Sequence, residues 1–366
     1  PPEARPATPR TAPDHVPQGM ERAMPRMLFA RPAAAGRGPL ALAGGSALLA
    51  LLTACGGTAP GGSADTEADG AGGGWEFTDD RGETISLPER PENVVMQVNA
   101  AAALVDFGVD PAAVFGPRTL ADGSPSPQAG DVPADTASVG TEFGEFDMEA
   151  YLAAEPDLVV TIMYGETLWY LPEEGIEEIE ETAPIVAIQL AGVPADEAVA
   201  KFADLAESLG ADLGSAELAE ARERFEAAGE ALAEAAAAQP DLTTLVVQGT
   251  PDTLYVAKPE FYSDLSYFQA QGVDIVVPDG GEGPNWEELS WERASTYDAD
   301  LILTDDREIA LPQGDLADIP TWAELPAVQE EQLGAWHAET PMSYQKLTPV
   351  LTELAETIEG ADPDVA

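Results

Sequence analysis

Cations, histidines and cysteines are what this 366-residue chain has least of. Lys and Arg together number 16 against 67 Asp and Glu, a formal net charge of −51. Six of the arginines and three of the acids fall in the first 55 residues, so the remainder carries 10 basic and 64 acidic residues, a balance of −54. Such a surface repels phosphate backbones and anionic headgroups; it speaks against nucleic-acid binding and favours neutral or cationic partners. The only histidines are His15 and His337. That is too few for a zinc or manganese site built from several His and carboxylates, and it leaves little for His-based acid–base chemistry. Cys55 is the single cysteine, so no internal disulfide forms. The chain has no G-x-S-x-G elbow with triad partners, no H-E-x-x-H and no G-x-x-x-x-G-K. A glycosidase-type carboxylate pair stays open because acids are everywhere, but the expectation is a protein that is not an enzyme.

The sequence opens on Pro1, and its Pro-rich first 19 residues read as upstream material, with Met20, Met24 and Met27 as candidate starts. Arg22, Arg26, Arg31 and Arg37 then precede a run of apolar and small residues, Gly38–Ala54. The run is shorter than the roughly 20 residues of a membrane span and suits the core of a signal peptide. A transmembrane anchor with a chance cysteine is the alternative. It ends in Leu52-Thr53-Ala54-Cys55-Gly56, which resembles a bacterial lipobox. That resemblance implies cleavage before Cys55 and acylation of it, with more than one chain, as firm anchoring requires. Gly56–Gly74 holds eight glycines and no apolar residue larger than Ala or Pro, so it reads as a flexible tether with a reach of about 25 Å.

From Trp75 onward, short apolar runs alternate with helical patterns. A hairpin is expected over Trp75–Leu87. Strands are expected at Asn93–Val98, Ala113–Gly116, Leu158–Ile162 and Ile185–Gln189, then at Thr244–Gln248, Thr253–Val256, Asp274–Val277, Leu301–Thr304 and Leu333–Trp336. Helices are expected over Ala100–Phe107, Met148–Ala154, Asp196–Leu209 and Lys346–Ile358. This alternation indicates an α/β fold with parallel sheets covered on both faces. Between the two groups lies Ser215–Ala238. There Leu218, Phe225 and Leu232 recur every seven residues, and Ala221, Ala228 and Ala235 follow each by three, forming one narrow apolar seam on a helix about 36 Å long. We read it as a rigid strut between two lobes, with an ordinary surface helix as the alternative. The expected division is 1–55 upstream segment and signal, 56–74 tether, 75–213 first lobe, 214–239 inter-lobe helix, 240–360 second lobe and 361–366 tail.

The two halves share a phrase. Asp147-Met-Glu149 precedes Asp157-Leu-Val-Val-Thr161, and Ser290-Trp-Glu292 precedes Asp300-Leu-Ile-Leu-Thr304. An internal repeat of this kind argues for two lobes of similar architecture. In each, Asp147 or Ser290 suits an N-cap and the Glu suits the first helical turn.

The chain then resembles the substrate-binding proteins of bacterial ABC importers, in the branch handling iron–siderophore complexes and cobalamin. The resemblance rests on Phe77-Thr-Asp-Asp-Arg-Gly82, Pro91-Glu-Asn-Val-Val95, Met148-Glu-Ala-Tyr-Leu-Ala-Ala-Glu-Pro-Asp-Leu158, Asp264-Leu-Ser-Tyr-Phe268, Gly272-Val-Asp274 and Leu289-Ser-Trp-Glu292 with Asp300-Leu-Ile302. It implies two Rossmann-like lobes joined by one long helix, a ligand cleft between them, and small hinge movement. It also implies one glutamate per lobe that docks on the permease, Glu149 and Glu292, with Glu145 as a near alternative. Cleft loops at strand ends would present Asn99, Arg118, Tyr164, Trp169, Tyr170, Lys258, Tyr262, Trp286, Arg307, Trp336 and Tyr344, with Tyr255, Phe261 and His337 nearby. Core packing is the rival reading for each aromatic, and a salt bridge to Asp305 or Asp306 is the rival for Arg307. The expected ligand is a ferric siderophore, of hydroxamate type given the acidity; cobalamin, haem, or a sensor or adhesin role are the alternatives. The other expected partners are an ABC permease with its ATPase and the membrane through Cys55. The protein is expected to be a monomer with no cofactor of its own, iron arriving with the ligand.

Overall fold

The structure, a computed structural model, describes residues 74–366. The expected signal segment, Cys55 and all of the tether but Gly74 lie outside the described residues.

The chain begins with the antiparallel hairpin β1 (Trp75–Thr78) and β2 (Thr84–Leu87). Buried Asp79 explains the turn between them. Its carboxylate accepts the N–H groups of Arg81 and Glu83 and reaches across to the amide of Ala187, which fixes the hairpin to the first lobe.

That lobe is built on β3 (Val94–Gln97), β4 (Ala113–Phe115), β5 (Ala137–Ser138), β6 (Leu158–Tyr164), β7 (Thr167–Leu168) and β8 (Ile185–Gln189). Its helices are α1 (Val98–Asp106), α2 (Met148–Ala153), α3 (Ile176–Thr182) and α4 (Ala195–Ser208). The parallel strands order as β5-β4-β3-β6-β8, and short β7 turns back antiparallel on β6. The second lobe follows α5 (Ala216–Ala238). It contains β9 (Thr243–Gly249), β10 (Thr253–Ala257), β11 (Asp274–Ile275), β12 (Trp286–Ser290), β13 (Leu301–Asp305) and β14 (Leu333–Trp336). Around these lie α6 (Ser263–Ala270), α7 (Gln313–Leu316), α8 (Pro320–Ala323), α9 (Pro326–Gln329) and closing α10 (Tyr344–Gly360). Its order is β12-β10-β9-β13-β14, with β11 parallel on β9 and with β10 and β12 antiparallel. Each lobe thus has its own six-stranded sheet, with the direction of winding reversing beside its first strand.

The repeated phrase has a structural basis. Asp157 enters β6 and accepts the amides of Glu92 and Asn93 just before β3, both at 3.0 Å. Asp300 enters β13 and accepts the amide and hydroxyl of Thr243 at the start of β9, at 2.9 and 2.8 Å. In both lobes, then, the Asp-Leu start of one strand holds the entry of its neighbour in register. The helical half of the phrase is less symmetric. The Asp147 carboxylate caps α2 through Glu149 and Ala150, as expected. Ser290 instead ends β12 and leads into a 3₁₀ turn over Trp291–Thr296 that its side chain does not cap. The Glu292 amide, and after it the Ser290 hydroxyl, hold the Glu292 carboxyl below its usual range.

α5 buries the seam read from sequence: Leu218, Ala221, Phe225, Ala228, Leu232 and Ala235, with Gly229 and Ala236 beside it. It is not a lone strut. Phe225 meets Tyr344 at 5.6 Å, and Gln239 Nε2 donates to the Ala361 carbonyl at 3.0 Å, so α10 runs parallel beside it. One apolar core extends from the hairpin through α1, α4, α5 and α10 into β13 and α6, and so belongs to both lobes. Two further cores cover the outer faces of the two sheets. The ion pairs Arg222–Glu226 (2.9 Å) and Arg224–Glu220 (4.0 Å) are exposed and contribute little.

Gly229, the one interruption in this helix, has a packing reason. A Cβ there would stand 2.5 Å from the hydroxyl oxygen of Tyr267 on α6. Gly229→Ala is therefore expected to destabilise the protein, although Ala in a helix interior is worth about 1 kcal/mol over Gly. Adding Tyr267→Phe is expected to reverse the effect and raise the melting temperature above that of Gly229→Ala. A stabilising Gly229→Ala alone would contradict this packing.

Candidate functional site

In open α/β sheets a ligand crevice lies outside the carboxyl ends of the strands, where the winding reverses. The first lobe presents Gln97 and Tyr164 at that point, ending β3 and β6; the second presents Gly249 and Asp305, ending β9 and β13. Local capping places the residues that follow. Gln97 Oε1 accepts the amides of Asn99 (2.8 Å) and Ala100 (3.1 Å), which starts α1 and orients Asn99 at the sheet end. Asp305 Oδ1 accepts the amide of Arg307 (3.0 Å), folding the chain so that its guanidinium returns to the same carboxylate.

Aromatic side chains connect these points across the lobes. Phe143 packs on Trp169 (5.0 Å) and Tyr170 (5.4 Å), and Trp169 on Tyr164 (5.0 Å). Tyr164 then stacks on Phe261 of the second lobe at 5.9 Å and 17°. From there contacts run through Tyr262 (5.2 Å) to Trp286 (5.3 Å) and Trp336 (4.9 Å). Rings stacked edge-on and face-on in this way add to the burial energy of each. Tyr170 has φ 67°, a left-handed backbone that costs a non-glycine residue about 1–3 kcal/mol and that gathers at binding sites.

The polar part of the site is a chain of hydrogen bonds that also crosses the lobes. Arg307 binds Asp305 through Nε and Nη2, at 2.6 to 3.0 Å, and Glu339 through Nη1 at 3.2 Å. The other oxygen of Glu339 accepts from the Gln128 amide of the first lobe, and Asn99 Nδ2 donates to the Glu339 carbonyl at 2.8 Å. Burial disfavours the charge on Arg307, but Asp305 and Glu339 outweigh it and raise its pKa, so the guanidinium stays charged. Burial, then Glu339, pushes the Tyr170 hydroxyl up to about 12 and Tyr164 higher still. At the rim, the Glu308 carboxylate accepts the amide of Ala121 across the lobes.

The sequence-derived residues divide into two groups. Asn99, Tyr164, Trp169, Tyr170, Tyr262, Trp286 and Arg307 come together here, and the Asp305 salt bridge read as a rival for Arg307 forms as well. Trp336 is buried behind Tyr262, its indole donating to Asp264 Oδ2 at 2.7 Å. Arg118 turns back onto the carbonyls of Ala134 and Thr136, and Lys258 onto those of Gly281 and Gly283. Tyr344 packs between Phe107 and Phe225 at the α5–α10 pair. His337 bridges Asp306 and Glu353. Glu149 and Glu292 are exposed, one on each lobe. Sequence reasoning missed Phe143 and Glu339, which lie in loops without a motif, and Gln128, in the short 3₁₀ turn Pro127–Ala129. It also missed Gln248, fully buried near the end of β9 with neither amide atom bonded. Among the described residues there is no group of three or more His, Cys, Asp or Glu placed to hold a metal ion, and no helix long and apolar enough to cross a membrane.

Asp264 links the site to a measurable titration. Burial raises its pKa to about 6, against hydrogen bonds from Trp336 and Leu265 that lower it. The folded value lies above the unfolded value of about 3.9. Asp264 therefore contributes stability at acid pH that is lost as pH rises through about 6. Tryptophan emission is expected to change with a midpoint near pH 6, and Asp264→Asn to remove that transition and flatten the pH dependence of stability around it. An unchanged transition in the variant would contradict this environment.

The sequence profile of the family described as periplasmic binding protein matches residues 102–340. A comparison with curated protein sequences gives no match. Among solved structures, the chain is similar to DesE, a ferric-siderophore receptor protein from Streptomyces coelicolor, at 38% identity and a TM-score of 0.75, covering 79% of this chain and 99% of that one. It shares its fold with the siderophore periplasmic binding protein from the fuscachelin gene cluster of Thermobifida fusca, at 21% identity and TM-score 0.55 over 75% and 98% of the two chains. The same holds for the catecholate-siderophore binding protein VctP from Vibrio cholerae, at 17% and 0.56 over 79% and 99%. Family and fold are those of substrate-binding proteins, which bind and release rather than catalyse. The chain belongs to the periplasmic binding protein family.

Proposed function

We propose that this protein captures a ferric siderophore of the hydroxamate type outside the cytoplasm and delivers it to the permease of an ABC importer. The observation that carries the reading is the aromatic and guanidinium-bearing cleft built where both sheets reverse their winding. Flat rings with one polar edge suit a large amphipathic ligand. A charged Arg307, only 22% exposed, suits the oxygens that surround a ferric ion. The name of DesE, the relative at 38% identity, points to the same ligand class. The balance of −51 favours an uncharged or cationic complex over an anionic catecholate.

In this reading Tyr164, Trp169, Tyr170, Tyr262 and Trp286 line the ligand, Asn99 and Arg307 meet its polar atoms, and Arg118, Lys258, Trp336 and Tyr344 support the loops and helices around it. Cys55 carries the lipid that tethers the protein to the outer face of the membrane. Glu149 and Glu292 are the docking points for the permease; two exposed charges on separate lobes fix orientation, and rim charges set encounter rate more than affinity.

Titration with ferrioxamine, ferric enterobactin and cobalamin, followed by tryptophan quenching, is expected to show the tightest binding for ferrioxamine. Changing Glu149 and Glu292 together to Ala is expected to abolish uptake while leaving that binding unchanged. Quenching by none of the three would contradict the function, and uptake by the double variant would contradict the docking assignment.

A further inference from the structure

The charges around the cleft do not balance. Arg307 and His337 are the cations in its ion pairs, whereas Arg118 and Lys258 are spent on loop carbonyls. Against them stand Asp305, Asp306, Glu308, Glu339 and Glu353. His337 is held between Asp306 Oδ2 (2.6 Å) and Glu353 Oε2 (3.2 Å), so it cannot serve Glu339. Arg307 is shared, and its closer partner is Asp305, at 2.6 Å against 3.2 Å for Glu339. Glu339 thus shares its one cation with Asp305, in a place where burial raises its pKa.

The geometry around Glu339 adds a second observation. An ionised carboxylate offers about four acceptor directions. Arg307 and the Gln128 amide use two of them, and the side chain keeps 22% of its surface exposed. Behind it stands Asn99, 3% exposed. Its Nδ2 is committed to the Glu339 carbonyl, while its Oδ1 is buried with no donor. A buried acceptor without a donor costs about 1–3 kcal/mol; here the Asn99 amide oxygen has none, and each Glu339 oxygen has one donor with a further acceptor direction open. Tyr164 and Tyr170, whose hydroxyls feel the Glu339 charge, place this point beside the aromatic wall of the cleft.

We propose that Glu339, with the Asn99 amide behind it, recognises a positively charged group on the ligand, so that the cleft selects a ferric hydroxamate bearing a free ammonium over the same complex without that charge. This rests on the hydroxamate reading above and adds to it the residue that reads ligand charge. The residue also explains why an anionic complex is disfavoured locally, not just through the net charge of the chain.

The test uses two ligands with one metal centre: ferrioxamine B, whose terminal amine is cationic, and its N-acetylated form, which is neutral there. The intact protein is expected to bind the amine about tenfold more tightly, the scale of a charge-assisted contact in a partly exposed site. That ratio should shrink as salt is raised. Glu339→Gln keeps the size of the side chain, removes its charge and leaves one acceptor oxygen for Arg307 or Gln128; it is expected to bring the ratio close to one, mostly by weakening the amine, with its melting temperature measured alongside. Equal affinity of the unaltered protein for the two ligands would overturn the inference while leaving the hydroxamate reading in place. A Glu339→Gln variant that loses both ligands equally would also overturn it, reducing Glu339 to a structural bridge. Binding of neither ligand by the unaltered protein would overturn the hydroxamate reading and this inference with it.

Discussion

The apolar core shared by the two lobes is the constraint on which the rest of this molecule depends. Neither sheet is covered by its own helices alone. α5 turns its seam of Leu218, Phe225 and Leu232 inward, α10 lies parallel beside it, and Leu347, Leu351 and Leu354 complete the same buried volume. Each fully buried Leu or Phe contributes about 1.5–3 kcal/mol, and close-packed interiors deform little. Separating or twisting the lobes would expose this surface, so their spacing is set by packing and not by the stiffness of a single helix. The start of α10 adds polar ties to the first lobe: the Ser343 hydroxyl donates to Asp106 at 2.5 Å, and Lys346 pairs with Asp131 at 2.6 Å.

A fixed spacing lets a binding site be built from two halves. Tyr164 of one lobe stacks on Phe261 of the other, and Glu339 is held by Gln128 from the first and Arg307 from the second. Charges in such a position are costly unless paired, and removing one partner leaves the other exposed to the full desolvation cost. The doubly held Arg307 is therefore a preorganised group, already fixed before any ligand arrives, which reduces what binding must spend on ordering side chains. The strained backbone of Tyr170 fits the same logic, since its conformation is held by its neighbours.

Much of the frame was legible in the sequence because it rests on periodicity. The seven-residue recurrence in α5 matches its buried face, Ile185–Gln189 and Leu333–Trp336 are strands with the expected bounds, and the Asp-Leu phrase marks equivalent strand entries in both lobes. What escaped is what periodicity does not encode. β12 is an antiparallel edge strand whose Trp-Glu-Glu-Leu-Ser alternation is short, and its presence changes Ser290 from a helix cap into a strand end. In the cleft, aromatics placed after strands were visible, but Glu339 and Gln128 are ordinary polar residues in a loop and a short 3₁₀ turn, and only the meeting of residues 211 positions apart gives them meaning. Arg118 and Lys258 drew notice as scarce cations in loops; Arg118 binds carbonyls of its own loop, and Lys258 binds those of the loop between β11 and β12.

The distance between the lobes tests this frame most directly. Spin labels on cysteines introduced at Ala153 of α2 and Ser295 of the second lobe, with Cys55 changed to Ser, report it without and with a ferric hydroxamate. Lobes locked by α5, α10 and a common core predict one narrow distance distribution that moves by less than about 2 Å on binding. A broad distribution that collapses to a shorter distance with ligand would contradict it.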